Sequence, residues 1–110
     1  MASDRMSKVN ENVRAQVAQA VSQDVELPLD SFVTVTRVET SRDLQHAKVF
    51  IMVLPDGKRA STMKKLQQQK GVVGRALGKA LKMKYTPKVH FHFDEQGIRA
   101  QQIFDVMDQQ

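Results

Sequence analysis

The stretch FVTVTRVETSRDLQHAKVFIMVLPDG, residues 32–57, decides the fold. Phe32–Thr40 alternates β-branched with polar residues and Ala47–Leu54 is a second β-rich run, so each reads as a strand. Ser41-Arg42-Asp43-Leu44 between them offers turn chemistry, and the short connection makes an antiparallel hairpin the natural pairing. Asp43, close to Arg42 and His46, reads as a turn aspartate that bonds its own backbone rather than as a proton acceptor in catalysis. Pro55-Asp56-Gly57 ends the second strand with a strong turn signal.

Before the hairpin, Val9, Val13, Val17, Ala20 and Val21 recur at three- and four-residue spacing and predict a helix over about Ser7–Gln23. Leu27-Pro28-Leu29-Asp30 stops it. After the hairpin a second helix is expected over about Arg59–Gln69, capped by Ser61 or Thr62. Gly71 interrupts that pattern and is the expected bend, and helical periodicity resumes over Val72–Lys84. At about 100° per residue, Val72, Val73, Ala76, Leu77, Ala80, Leu81 and Met83 share one side. The other side collects Gly71, Gly74, Arg75, Gly78, Lys79 and Lys82. Interior glycine costs roughly 0.5–1 kcal/mol against alanine, so Gly74 and Gly78 need either a packing partner or a ligand that approaches closely. Pro87 ends the helix, Lys88–Asp94 alternates as a third strand, and Ile98–Met107 follows as a short final helix. The elements imply an α+β fold with helices on one face of a small sheet.

With 110 residues, the chain fits a single domain, residues 1–110, built around one aliphatic core. It has no cysteine, which removes disulfides and thiolate metal sites and makes a reducing, cytoplasmic setting the expectation. No stretch approaches the length of a membrane span, and no apolar signal region opens the sequence.

Charge is concentrated rather than spread. Between Asp56 and Asp94 stand ten bases and no acid: Lys58, Arg59, Lys64, Lys65, Lys70, Arg75, Lys79, Lys82, Lys84 and Lys88. The remainder holds all 12 acids against seven bases. A merely solvated helix would interleave acids as i,i+4 partners, so this asymmetry marks a surface that meets a polyanion: RNA, DNA or an anionic membrane. The membrane reading is the weakest, because the basic helix has no Trp or Phe at its waterline. Glycines beside the cations let backbone N–H groups approach phosphate oxygens.

His90, His92 and Asp94 alternate and could share one strand face, a spacing that can bind metal. A polar outward face opposite Val89, Phe91 and Phe93 is the simpler reading, and neither a metal nor a cofactor is expected. No P-loop, dinucleotide glycine pattern, nucleophile elbow or His-Glu-x-x-His is present, so a binding protein is expected rather than an enzyme.

Several of these residues together resemble the ribosome-binding factor A family. They are Thr34-Val35-Thr36 with Val38-Glu39, Ser41-Arg42-Asp43-Leu44, Ala47-Lys48-Val49, the glycine kink, Leu77-Gly78-Lys79-Ala80, and Thr86-Pro87 followed by Phe91 and Asp94. Arg5 and Lys8-Val9 match the basic start of the family's first helix, and the similarity spans about Arg5–Met107. The resemblance implies a type II KH-like domain, α-β-β-α-kinked α-β, in which an Ala-x-Gly kink replaces the usual Gly-x-x-Gly loop. Here Gln69 stands where the kink alanine is expected, and the arginine after the kink comes one position late, in Gly74-Arg75. The resemblance further implies a non-catalytic assembly factor, and a monomer is expected. Its partners would be the immature small ribosomal subunit and that subunit's RNA, whose late processing it would assist, with a role in growth in the cold. Lys64, Lys65, Lys70, Gly71, Arg75, Lys79, Lys82 and Lys84 are the expected RNA contacts, helped by Arg5, Lys8 and Arg42. A permanent structural protein of a ribonucleoprotein particle is the alternative.

Overall fold

The computed structural model describes residues 2–95, with side chains from residue 5 onward. Its elements are α1 (Ala2–Gln23), β1 (Phe32–Thr40), β2 (His46–Leu54), a 3-10 turn (Asp56–Lys58), α2 (Arg59–Gln68), α3 (Lys70–Ala80) and β3 (Lys88–Phe93). The helix expected at Ile98–Met107 lies outside the described residues.

β1 and β2 form the antiparallel hairpin, and β3 joins parallel to β2 in the order β1-β2-β3. A parallel neighbour needs a crossover connection, and α2 with α3 supplies it. The result is the expected α+β, type II KH-like arrangement. The turn aspartate behaves as its position implies: Asp43 Oδ1 accepts from Ser41 Oγ at 2.7 Å and from the Gln45 N–H at 3.1 Å. These bonds, the hydroxyl's first, hold the Asp43 carboxyl below the usual carboxylate range.

One sheet face carries the core. Val33, Val35, Val38, Val49, Ile51, Val53, Val89 and Phe91 point toward Val13, Val17, Ala20 and Val21 of α1, Leu66 of α2, and Val73 and Leu77 of α3. Strict alternation along β1 would put Arg37 in this core. A bulge between Val35 and Arg37 shifts the phase by one residue, so that Val38 turns inward and Arg37 outward. The bulge also positions Thr36, whose hydroxyl donates to Asp94 Oδ2 at 2.5 Å. Asp94 is therefore a buried, bonded carboxylate and not a free neighbour of His90 and His92. Among the described residues no cluster of three or more potential metal ligands forms, and no helix is long and apolar enough to cross a membrane.

Three expectations for the helices need correction. Neither Ser61 nor Thr62 caps α2. The helix instead continues from the 3-10 turn, with the Arg59 N–H bonded to the Asp56 carbonyl, and Thr62 is buried. The bend is at Gln69 and not at Gly71, which has no positive φ and sits in the first turn of α3. The last helical stretch ends at Ala80 rather than Lys84. There Met83 N–H bonds to the Gly78 carbonyl at 2.9 Å and Lys82 N–H to the Lys79 carbonyl at 3.3 Å, a Schellman closure. Lys82 is its left-handed residue, at φ 51°, so it belongs to the cap and not to the helix face.

Gln69 ends α2 and starts α3 together: its N–H bonds the Leu66 carbonyl, and its carbonyl accepts from Val72 and Val73. Its side-chain amide clamps the segment after α1, accepting from the Glu26 N–H at 2.9 Å and donating to the Glu26 carbonyl at 2.7 Å. The same amide nitrogen reaches the Lys65 carbonyl at 3.1 Å. Gln69→Ala is therefore expected to destabilise the protein by about 1–2 kcal/mol, the net worth of partly exposed hydrogen bonds. Gly71→Ala, with only the mobile Arg75 Nη1 at 3.4 Å from the new methyl, should be neutral or stabilising. Thermal unfolding of both variants checks which residue makes the kink.

Candidate nucleic-acid interface

The glycines of α3 face the protein itself. Gly74 and Gly78 are buried, and a methyl added at Gly74 would lie 2.7 Å from the Pro87 carbonyl oxygen. At Gly78 the nearest atom would be Thr86 Cα at 3.5 Å. The two glycines are thus the seat for Thr86-Pro87, the lead-in to β3, and the expectation of an outer glycine face is overturned. The packing partner is the chain's own backbone.

That close seating creates a groove of about 390 Å³ between the first half of α3 and β3. Gly74, Pro87 and Val89 form its floor. The exposed Lys70, Gly71, Arg75 and Lys88 stand at its rim, and half-buried His90 also lines it. Lys70 and Gly71, the first residues of α3 and so at the positive end of its helix dipole, are among the lining. β3 is a sheet edge, with half of its backbone groups facing away from β2. Beyond the groove the Gln67 amide of α2 covers that edge by donating to the Phe91 carbonyl at 3.2 Å.

Electrostatically the rim is unneutralised. Of the ten bases between Asp56 and Asp94, only Arg59 lies within ion-pairing distance of a described acid, Glu95, at 3.4 Å. Arg59 is also laid over the Phe93 ring, 4.2 Å from its centroid. His90 is held below the ordinary histidine range, by burial first and then by His46, Lys70, His92 and Lys88 around it. It is a neutral ring at neutral pH.

The expected contact residues thus divide. Lys70, Gly71 and Arg75 come together in the groove. Lys79 is exposed one turn beyond Arg75 on α3, and Lys64 and Lys65 are exposed on α2. Lys82 and Lys84 line a different hollow with Asp43, Leu44 and Tyr85, where an acid is present. Arg5 and Lys8 are exposed on α1 and Arg42 in the hairpin turn, and none of these three lines the groove. Lys88 and His90 were not among the expected contacts. Only the return of β3 alongside α3, parallel to β2, brings them to the groove, although Lys88 was visible as the last base of the acid-free segment.

An apolar floor bordered by mobile cations suits a single strand, with bases against the floor and phosphates at the rim. A-form duplex, whose deep groove excludes side chains, fits it poorly.

Comparison with known proteins adds to this picture. Residues 5–107 match the sequence pattern of the family Ribosome-binding factor A. A Ribosome-binding factor A of Pseudomonas aeruginosa strain UCBPP-PA14 is 37% identical over 94 residues, covering 83% of this chain and 73% of that protein. The crystal structure of ribosome-binding factor A from Thermus thermophilus superposes with a TM-score of 0.66 at 18% identity, over 79% of this chain and 93% of that one. A homology model of the Thermus thermophilus ribosome binding factor A, as fitted into the cryo-EM map of its 30S complex, superposes with a TM-score of 0.59 at 19% identity, over 74% of this chain and 87% of that one. At these identities the two structures speak for the shared fold.

Proposed function

Because the chain belongs to the ribosome-binding factor A family, we propose that it is a ribosome-binding factor that holds RNA of the small ribosomal subunit in the α3–β3 groove. The observation that carries this reading is the groove's composition: Lys70, Arg75 and Lys88, three cations with no described acid partner, around an apolar floor beside the edge strand β3. The Thermus relative fitted in a 30S complex makes the small subunit the partner of choice. Lys70, Gly71, Arg75 and Lys88 make the contact, and Lys64, Lys65, Lys79, Lys82 and Lys84 add to the attracting field. Arg5, Lys8 and Arg42 meet neighbouring parts of the particle.

On this reading the chain acts as one monomeric domain in the cytoplasm and catalyses nothing. It binds the immature subunit, favours late processing and folding of its RNA, and leaves before translation. Mispaired RNA helices exchange more slowly as temperature falls, so deletion should slow growth more in the cold, with free small subunits and unprocessed RNA ends accumulating. Sucrose-gradient fractionation supplies the check. The protein should be substoichiometric and confined to precursor particles. Its presence at one copy per translating ribosome would favour a permanent structural component instead.

A further inference from the structure

The sheet face opposite the core carries rings and cations that the groove does not use. No described helix covers it. β2 presents His46, Lys48, Phe50 and Met52 there, β3 presents His90 and His92, and β1 presents Arg37 and Glu39. Register sets these side chains in rows: Arg37, Phe50 and His92 lie abreast, as do Glu39, Lys48 and His90.

The rings contact one another. The Arg37 guanidinium carbon is 3.7 Å from the centroid of Phe50, whose other flank meets His92 at a centroid distance of 5.7 Å and a tilt of 32°. His46 and His90 stack at 5.4 Å and 21°, with His46 Nδ1 3.2 Å from His90 Nε2. His46 and His92 are exposed, while Phe50 and His90 are half-buried. Lys48 has no described acid partner, and Glu39 is bonded to Arg37 at 2.5 Å. A surface of flat rings bordered by cations is the chemistry on which unpaired bases stack.

Continuity with the groove supplies the occupant. His90 belongs to both surfaces: it is among the residues lining the groove and stands in the outer row of the sheet. A strand leaving the groove past Lys88 and His90 crosses the edge of β3 and arrives at His92 and Phe50.

We propose that this sheet face is a second RNA contact, a base-stacking platform in which His90 and His92, supported by Phe50 and Arg37, hold unpaired bases of the strand whose phosphates sit at the groove. The proposal rests on the groove reading but predicts a different signature. Phosphate contacts release counterions, whereas stacking by neutral rings does not. The pKa of His90 is lowered by burial first and then by His46, Lys70, His92 and Lys88, with Lys48 beside it in the row and Asp43 beside His46. The test is run at pH 8, above the ordinary range of histidine titration.

The test uses the full chain and single-stranded RNA oligonucleotides carrying 2-aminopurine, whose fluorescence falls on stacking, titrated at pH 8 across a salt series. The His90→Ala/His92→Ala variant, checked for folding by circular dichroism, should lose about tenfold in affinity and most of the quenching while its salt slope stays unchanged. His92→Tyr, which keeps a ring, should retain the quenching. The Lys70→Glu/Arg75→Glu variant should instead flatten the slope. Unchanged affinity and quenching in the double alanine variant would overturn the platform, and so would a loss carried by a flatter slope. Wild-type binding by Lys70→Glu/Arg75→Glu beside a weakened histidine variant would overturn the groove and leave the platform standing.

Discussion

Reversing Lys70 and Arg75 together to Glu is expected to weaken binding to small-subunit RNA by on the order of 100-fold at physiological salt, with little change in melting temperature. Both side chains stand at the groove rim, and neither is paired with a described acid, so the substitution breaks no described ion pair. Glu at position 70 would even suit the first turn of α3, where negative charge meets the positive end of the helix dipole. With about five phosphates neutralised by the wild type, log K should fall against log salt with a slope of roughly −3.5, and the variant should lose about two contacts from that slope. Filter binding across a salt series reads both quantities. Unchanged affinity and slope would move the RNA site elsewhere.

Gly74→Ala should destabilise the fold by about 2–3 kcal/mol, the range of overpacking in a tight contact, and lower the melting temperature by roughly 10–20 °C. The new methyl would lie 2.7 Å from the Pro87 carbonyl oxygen, a backbone atom that cannot swing away as the end of a flexible side chain could. Separating α3 from Thr86-Pro87 also deforms the groove floor, and RNA affinity should fall with stability. Gly78→Ala is the matched control. Its methyl meets Thr86 Cα at an ordinary 3.5 Å and gains about 1 kcal/mol of helix propensity, so stability should hold or rise. Gly74→Ala melting at the wild-type temperature would refute close seating as the reason for glycine there.

These expectations also show which parts of the molecule could be read from its residues. β1 runs over Phe32–Thr40 as its alternation predicts, and β2 begins one residue earlier than predicted, at His46. Strand runs and turn residues are local signals, so the hairpin was legible. The bulge at Thr36 was less so, although Arg37 in an inward position of a strict alternation is the mark of a phase break.

α3 was misread for a physical reason. Periodicity weighs glycine as a neutral residue, yet Gly74 and Gly78 are buried beside Val73 and Leu77, because a missing Cβ lets another backbone approach. The kink was misplaced because Gly71 is the obvious breaker, whereas the actual break at Gln69 is clamped by bonds to Glu26, 43 positions away in sequence. The helix end at Ala80 carried no local warning, since Lys82 occupies a left-handed position that usually takes glycine or asparagine. The concentration of charge was fully visible, but its division was not. Lys70, Arg75 and Lys88 converge, while Lys82 and Lys84 face the hairpin turn, and that separation depends on how β3 returns beside α3.

The most direct test of the groove is photo-cross-linking of the protein to RNA in immature small subunits, with the modified residues mapped by mass spectrometry. Nucleotide adducts are expected on the groove peptides, at Lys70, Arg75 and Thr86–His90. Adducts confined to α1 or the hairpin turn, with the groove peptides unmodified, would contradict the assignment.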